Sequence, residues 1–158
     1  MADKINYQYL ETPLGQLRLV SDGEALLRIE FADQHGDDGV EQADAVLHDT
    51  ARQLTEYFQG QRQRFQIKLG AEGTAFQNSV WQALREIPYG ELRSYQDIAN
   101  SIGRQRAVRA VGAANGRNPI PIVVPCHRVI GSNGRLTGFA GGLPAKQLLL
   151  SLEGSSVG

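Results

Sequence analysis

Between Asn118 and Pro125 the chain reads NPIPIVVP, and no other stretch restricts the fold as much. Pro119, Pro121 and Pro125 lack a backbone N–H and fix φ, so no helix can run through them. Ile120, Ile122, Val123 and Val124 are apolar, and the segment predicts a buried, extended strand. It runs straight into Cys126, the single cysteine of 158 residues, with His127 and Arg128 directly after it.

A lone cysteine is more often a small buried hydrophobe than a nucleophile. Four features of the sequence favour the nucleophile. Cys126 ends a rigid proline-flanked segment where a loop begins. His127 and Arg128 follow it, and basic neighbours lower a thiol's pKa. It lies in an arginine-rich part of the chain. Five glycines then fall between 131 and 142, enough to let a backbone come close to a ligand or simply to form tight turns. Adjacent side chains diverge in an extended segment, so a water could join Cys126 to His127 while an acid orients the histidine from behind. The only acid after Asp97 is Glu153.

The formal net charge of −1 conceals an asymmetry: residues 1–60 hold twelve acids and four bases, and the remainder carries a net +7. Residues 104–135 contain Arg104, Arg106, Arg109, Arg117, Arg128 and Arg135, with no acid and no lysine. A charge run is commonly a solvated face, but the exclusive use of guanidinium groups favours phosphate and base recognition, hence a nucleic-acid partner. No apolar run approaches the roughly 20 residues of a membrane span. The first fifteen residues have no signal-peptide character, so a cytoplasmic location is expected. One cysteine can form neither an internal disulfide nor a thiolate zinc site, and His35, His48 and His127 are scattered, so no metal is expected.

The spacing predicts an α+β chain in two parts, 1–70 and 71–158, divided in the small-residue stretch LGAEGTAF. In the first part, turn signals at Pro13–Gly15 and Asp22-Gly23 predict about three strands in a meander. Val46, Leu47, Ala51, Leu54 and Phe58 then repeat at helical spacing up to Gly60. No cluster of chemistry appears there. In the second part Thr74-x-x-Gln77 and Ser94-x-x-Asp97 read as capping boxes that open two helices. Gly103 closes the second, and a third helix is expected from about Arg104 to Asn115. A short helix, a glycine turn and a basic helix describe a helix-turn-helix. On the basic helix Arg109 stands beside Gly112 and Ala113, a small-residue face with one long side chain. A last helix begins at Pro144, taken as its N1 residue, and reaches Glu153.

The stretches GTAFQNSVWQALREIPYGELRSYQDIA, RAVRAVGAANGRNPIPIVVPCHRVIG and LTGFAGGLPAKQLLLSLEG together resemble the O6-alkylguanine-DNA alkyltransferases, of bacterial type. TPLGQLRLV and EYFQGQR extend the likeness over nearly the whole chain. The resemblance implies an N-terminal antiparallel sheet with a helix, and a C-terminal helical, winged-helix-like domain containing the helix-turn-helix. It implies single-turnover repair of O6-methylguanine, and of O4-methylthymine, in duplex DNA, without cofactor, by a monomer that could bind cooperatively. By position, Cys126 would accept the alkyl group, His127 would be its base through water, Glu153 would orient His127, and Asn118 would pin the turn before the active-site segment. Arg109 would fill the stack behind a flipped base, which Tyr95 would hydrogen-bond on its minor-groove edge. Val129 and Ala140 would line the pocket, while Gln96, Arg104, Arg128 and Ser132 would contact DNA. Phe139 and Ala140 stand where some relatives carry Tyr and Ser, which bears on bulky adducts. Three rivals are a lesion-sensing binder, which would replace the cysteine, a helix-turn-helix regulator, which has no use for the Asn118, Cys126, His127 and Glu153 set, and a cysteine hydrolase, which would turn over.

Overall fold

Tight turns build the N-terminal sheet. Thr12 pairs with Gly15 across Pro13-Leu14, and strand β1 (Asn6–Thr12) returns as β2 (Gly15–Ser21), aligned up to Asn6 opposite Ser21. At the next turn Asp22 Oδ1 accepts from the amides of Glu24 and Ala25, both at 2.9 Å, and Gly23 takes φ 91°. The chain then enters β3 (Leu26–Glu30). A loop leads to β4 (Val40–Glu41), which pairs with β1 in parallel, so the order is β3-β2-β1-β4 and the sheet is mixed rather than antiparallel throughout. Two residues are too few to leave a period in the sequence. What fixes β4 is nonlocal: Val40 N donates to Ile5 O at 2.9 Å and Gln42 N to Tyr7 O at 3.1 Å.

The computed structural model describes residues 4–155 in two units, the first ending at Ala71 and the second starting at Glu72. In the first, helix α1 (Ala45–Phe58) buries Leu47, Leu54 and Tyr57. Its N-cap Asp44 accepts from Leu47 N at 2.8 Å and also from Asn6 Nδ2 at 3.0 Å, so the cap that starts the helix ties it to β1. On the register, Tyr7, Tyr9, Arg18 and Val20 share one sheet face. Arg18 is buried there, over the Tyr7 ring at 4.1 Å and bonded to Glu30 at 2.8 Å, with Asp38 at 3.3 Å.

The second unit is mostly helical. Helix α2 (Ala75–Arg85) and α3 (Tyr95–Ser101) both open on capping boxes, at Thr74/Gln77 and Ser94/Asp97. Helix α4 spans Val108–Gly116 and thus starts four residues after the expected Arg104. Residues 102–107 are spent on the turn, where Arg104 N reaches Ala99 O and Ala107 N reaches Arg104 O, each at 2.9 Å. Trp81 Nε1 donates to Ala114 O at 2.9 Å, fastening α2 to α4. A short parallel pair joins β5 (Arg93–Ser94) to β6 (Val129–Ile130). Helix α5 covers Leu143–Leu152, placing Pro144 second rather than first and Glu153 at the C-cap. Val80, Leu84, Ile98, Val111, Ile120, Ile122, Val124, Val129 and Leu149 form this unit's core. No helix among the described residues is long and apolar enough to cross a membrane.

Candidate functional site

The proline segment is buried, as its composition requires, but it is not a strand. Its only ladder contact is a bridge between Pro121 and Val124, and Ile122 takes φ 75°, rare for a β-branched residue. Three prolines leave few amides for a ladder, and most of those that remain are satisfied locally. Val123 N goes to Pro121 O and Val124 N to Ile120 O, both at 2.9 Å, and Cys126 N goes to Val124 O at 2.8 Å. Asn118 closes the bend from both sides. Its Nδ2 donates to Val124 O at 2.8 Å, and its Oδ1 accepts from Ile120 N at 3.0 Å. Cys126, His127 and Arg128 then form one turn of 3₁₀ helix, all buried.

That tight turn separates the three side chains. His127 Nε2 lies 2.8 Å from Glu153 Oε2. Arg128 grips the same carboxylate through Nε to Oε1 at 2.8 Å and Nη2 to Oε2 at 3.0 Å, and gives Nη1 to Ile87 O at 2.7 Å. Burial works to raise the Glu153 carboxyl, yet the hydrogen bonds from His127 and Arg128 overcome it and bring it down to about 2. Glu153 is therefore a carboxylate, and His127 must donate its Nε2–H to it. The proton-accepting nitrogen is then Nδ1, which is buried and has no hydrogen-bond partner among the described residues. Burial holds the imidazole below its ordinary pKa against the pull of Glu153, so His127 rests neutral.

The thiol reverses an expectation. Burial pushes Cys126 up to about 11, against smaller opposing contributions from the Asn118 hydrogen bond and from Lys146. Arg128 does not activate it, because its charge is matched by Glu153. The resting group is therefore a thiol and not a thiolate near neutral pH.

Arg128, expected at DNA, is corrected: its guanidinium is buried, and each of its three nitrogens is hydrogen-bonded within the unit. Arg104 and Arg109 are exposed, as are Arg106, Arg117 and Arg135, and none of the five pairs with a carboxylate among the described residues. Gln96 is exposed, but its amide bridges Asn100 Oδ1 at 2.9 Å and Gln105 O at 3.0 Å, bracing the turn before α4. Ser132 and Ala140 lie exposed on the glycine-rich loop.

The β5–β6 pair sets Arg93 opposite Val129 and Ser94 opposite Ile130, which brings Tyr95, the first residue of α3, next to the segment that follows Cys126. The Tyr95 hydroxyl bonds Thr137 Oγ1. Lys146, buried on α5, donates to Val129 O at 2.7 Å and Thr137 O at 3.4 Å, and burial lowers its pKa while the neighbouring thiol opposes that shift. The sequence reading missed both Thr137 and Lys146. A lysine three and four residues before Leu149 and Leu150, on the buried stripe of α5, was a usable signal. Thr137 sits in an aperiodic loop and left none.

Fold and site together define a helix-turn-helix protein that keeps one thiol buried beside a histidine–carboxylate pair. Residues 75–155 match the DNA binding domain of 6-O-methylguanine DNA methyltransferase, and residues 5–71 match its ribonuclease-like domain. The chain is 50% identical over 155 residues to the methylated-DNA–protein-cysteine methyltransferase of Methanosarcina acetivorans, covering 94% of this chain and 98% of that one. It is 46% identical to the constitutive enzyme of that name from Bacillus subtilis, covering 93% and 94%. The crystal structure of Mycobacterium tuberculosis OGT in complex with DNA superposes with a TM-score of 0.88 at 44% identity, over 94% of this chain and 92% of that one. The chain belongs to the 6-O-methylguanine DNA methyltransferase family.

Proposed function

We propose that this protein repairs O6-methylguanine, and O4-methylthymine, in duplex DNA by moving the alkyl group irreversibly to Cys126, one lesion per molecule. The observation that carries this reading is the buried Cys126 thiol in the same unit as the His127–Glu153 pair, whose bare Nδ1 has no protein partner among the described residues.

The methyl carbon on O6 is an SN2 centre, and sulfur attacks it along the line of the breaking C–O bond. With the thiol at about 11, the nucleophile must be generated when the lesion is seated rather than kept ready beforehand. The thiol proton passes through one water to His127 Nδ1, and the imidazolium formed is stabilised by Glu153 at 2.8 Å. The S–C bond forms, the O6–C bond breaks, and the electron pair leaves on guanine O6. The proton ends on N1 of the restored guanine, so the sum is thiol plus methylated base giving thioether plus base. No cofactor enters, because the protein is the final acceptor.

The reactive carbon is out of reach in a stacked duplex, so the base must be extruded at a cost of a few kcal/mol. Arg109, exposed on α4 beside small residues, fills the gap in the stack. Arg104 and Ser132 meet phosphates, with Gln96 bracing the turn that carries Arg104. Tyr95 donates to the minor-groove edge of the extruded base, and Val129 and Ala140 wall the pocket. Asn118 holds the segment that presents Cys126. The protein works as a monomer in the cytoplasm, where one reduced thiol suffices.

Intact-protein mass after mixing with excess duplex containing O6-methylguanine tests the reading. One methyl mass on the peptide containing Cys126, with repair stopping at one lesion per protein, is expected. Multiple turnovers, or repaired DNA without a mass change, would defeat it. DNA binding without transfer would make the protein a lesion sensor.

A further inference from the structure

We propose that Thr137 is a positioning residue for the Tyr95 phenol, and that its hydroxyl sets the strength with which Tyr95 donates to the lesion base. The proposal rests on the alkyl-transfer reading above.

The two hydroxyls are hydrogen-bonded across a sequence separation of 42 residues, from the start of α3 to the glycine-rich loop. Each end of that contact is held by bonds of its own. Tyr95 follows the Ser94/Asp97 capping box and the β5–β6 pair, which hold the first turn of α3 in place. Thr137 is held through its own carbonyl by Lys146 Nζ, the same ammonium that holds Val129 O. The loop before it is stiffened by Gly131 N to Arg135 O at 2.9 Å and Gly134 N to Gly131 O at 2.8 Å.

A phenol has one proton to give. If Tyr95 gives it to a ring nitrogen of the base, its oxygen must accept from something else to stay satisfied. The Thr137 hydroxyl has one proton and is already bonded to that oxygen, so the pair can change direction without moving: Tyr95 donates to Thr137 before the base arrives, and Thr137 donates to Tyr95 afterwards. Accepting that bond polarises the phenol and strengthens its own donation, as hydrogen bonds in chains do. A leaving guanine gathers negative charge as the O6–C bond breaks, so a stronger donor lowers the barrier. Thr137 does not touch the base in this scheme and acts wholly through Tyr95.

The test is a double-mutant cycle read by transfer rate to Cys126, with both duplex O6-methylguanine and the free O6-methylguanine base as substrates. Thr137→Val, which keeps shape and removes the hydroxyl, should slow transfer roughly tenfold on both substrates while leaving DNA affinity unchanged. Thr137→Ser should restore the rate to within about threefold, because the donor is present again. In a Tyr95→Phe background Thr137→Val should cost nothing further. Thr137→Ala, which adds no bulk, repeats the measurement if the valine variant does not fold. A wild-type rate in Thr137→Val, or an undiminished loss in the Tyr95→Phe background, would overturn the coupling. Failure of the underlying reading shows separately, as wild-type protein that gains no methyl on Cys126.

Discussion

Each unit of this protein buries an arginine against a carboxylate and an aromatic ring, and the two arrangements serve different ends. In the first unit Arg18 meets Glu30 at 2.8 Å and Asp38 at 3.3 Å, over Tyr7. Its network runs outward, because the Asp38 side chain is 44% exposed and is shared with Arg28 at 2.6 Å. In the second unit Arg128 meets Glu153 at 2.8 Å and the Tyr89 ring at 5.8 Å, and that network runs inward to a buried imidazole. The first ties the loop before β4 to the sheet. In the second, burial keeps His127 uncharged, with a smaller contribution from Arg128, while Glu153 keeps the ring oriented. The same ion pair thus fastens a loop when one end meets water, and prepares a base when neither does.

Four experiments would break or sharpen that contrast. The largest effect is on chemistry. His127→Gln should lower transfer from duplex DNA by roughly 10²- to 10⁴-fold with DNA affinity retained, as expected for loss of a general base. His35→Gln, which removes the histidine that bonds Gln16 O at 3.0 Å in the first unit, should leave the rate unchanged. Equal losses in both, measured as single-turnover rates, would erase the distinction.

The next effect is on stability. Glu153→Gln leaves Arg128 buried without its counter-charge and should cost about 3–5 kcal/mol in urea unfolding. Glu30→Gln leaves Asp38 still paired with Arg18 and should cost about 1–2 kcal/mol. Similar costs at the two sites would mean that the inward network is no more dependent on its carboxylate than the outward one.

Acid provides a third comparison. His127 and Glu153 both have folded pKa values below their ordinary ones, so each contributes stability above its ordinary pKa that is lost as pH falls. Loss should begin near pH 6.5 through His127 and steepen from about pH 4.5 toward 2 through Glu153, with Arg128 and Lys146 the cations facing them. In His127→Gln the decline should start only below about pH 5. An identical profile in wild type and variant would show that His127 titrates in the folded protein as it does unfolded.

The smallest effect belongs to the exposed end of the outward network. Asp38→Asn should cost less than about 1 kcal/mol, and the difference should fade in high salt, because solvent and ions screen that pair. A cost as large as that of Glu153→Gln, persisting in salt, would show Asp38 to be an inward partner after all.

Much of the candidate site was legible because its signals are local. Cys126, His127 and Arg128 are adjacent, Asn118 opens the proline run, and Glu153 is the only acid downstream of Asp97. The helix starts were legible for the same reason, since a capping box is complete within four residues. Thr137 and Lys146 were not, because neither has meaning until β5–β6 and α5 bring the glycine-rich loop to Tyr95. The strand expected through the proline segment failed on a nonlocal point as well. Burial followed from its composition, but whether its few amides would meet a neighbouring strand depended on what lay beside it, and they turn back on the segment itself.

Arg128 and the thiol show most plainly where the sequence stopped. Charge counting placed Arg128 with five other arginines facing DNA and made it a reason for a low thiol pKa. The fold buries it against Glu153 and leaves the other five exposed. A charge acts through its distance and its solvent, and neither is written in the order of residues. By itself the sequence determined which groups could do chemistry, where helices begin and where the chain must bend, because those follow from covalent neighbours. Only the tertiary structure decided that the thiol rests protonated, that His127 presents Nδ1, and which arginines are free to meet a phosphate, because desolvation and pairing depend on contacts that the chain makes after it has folded.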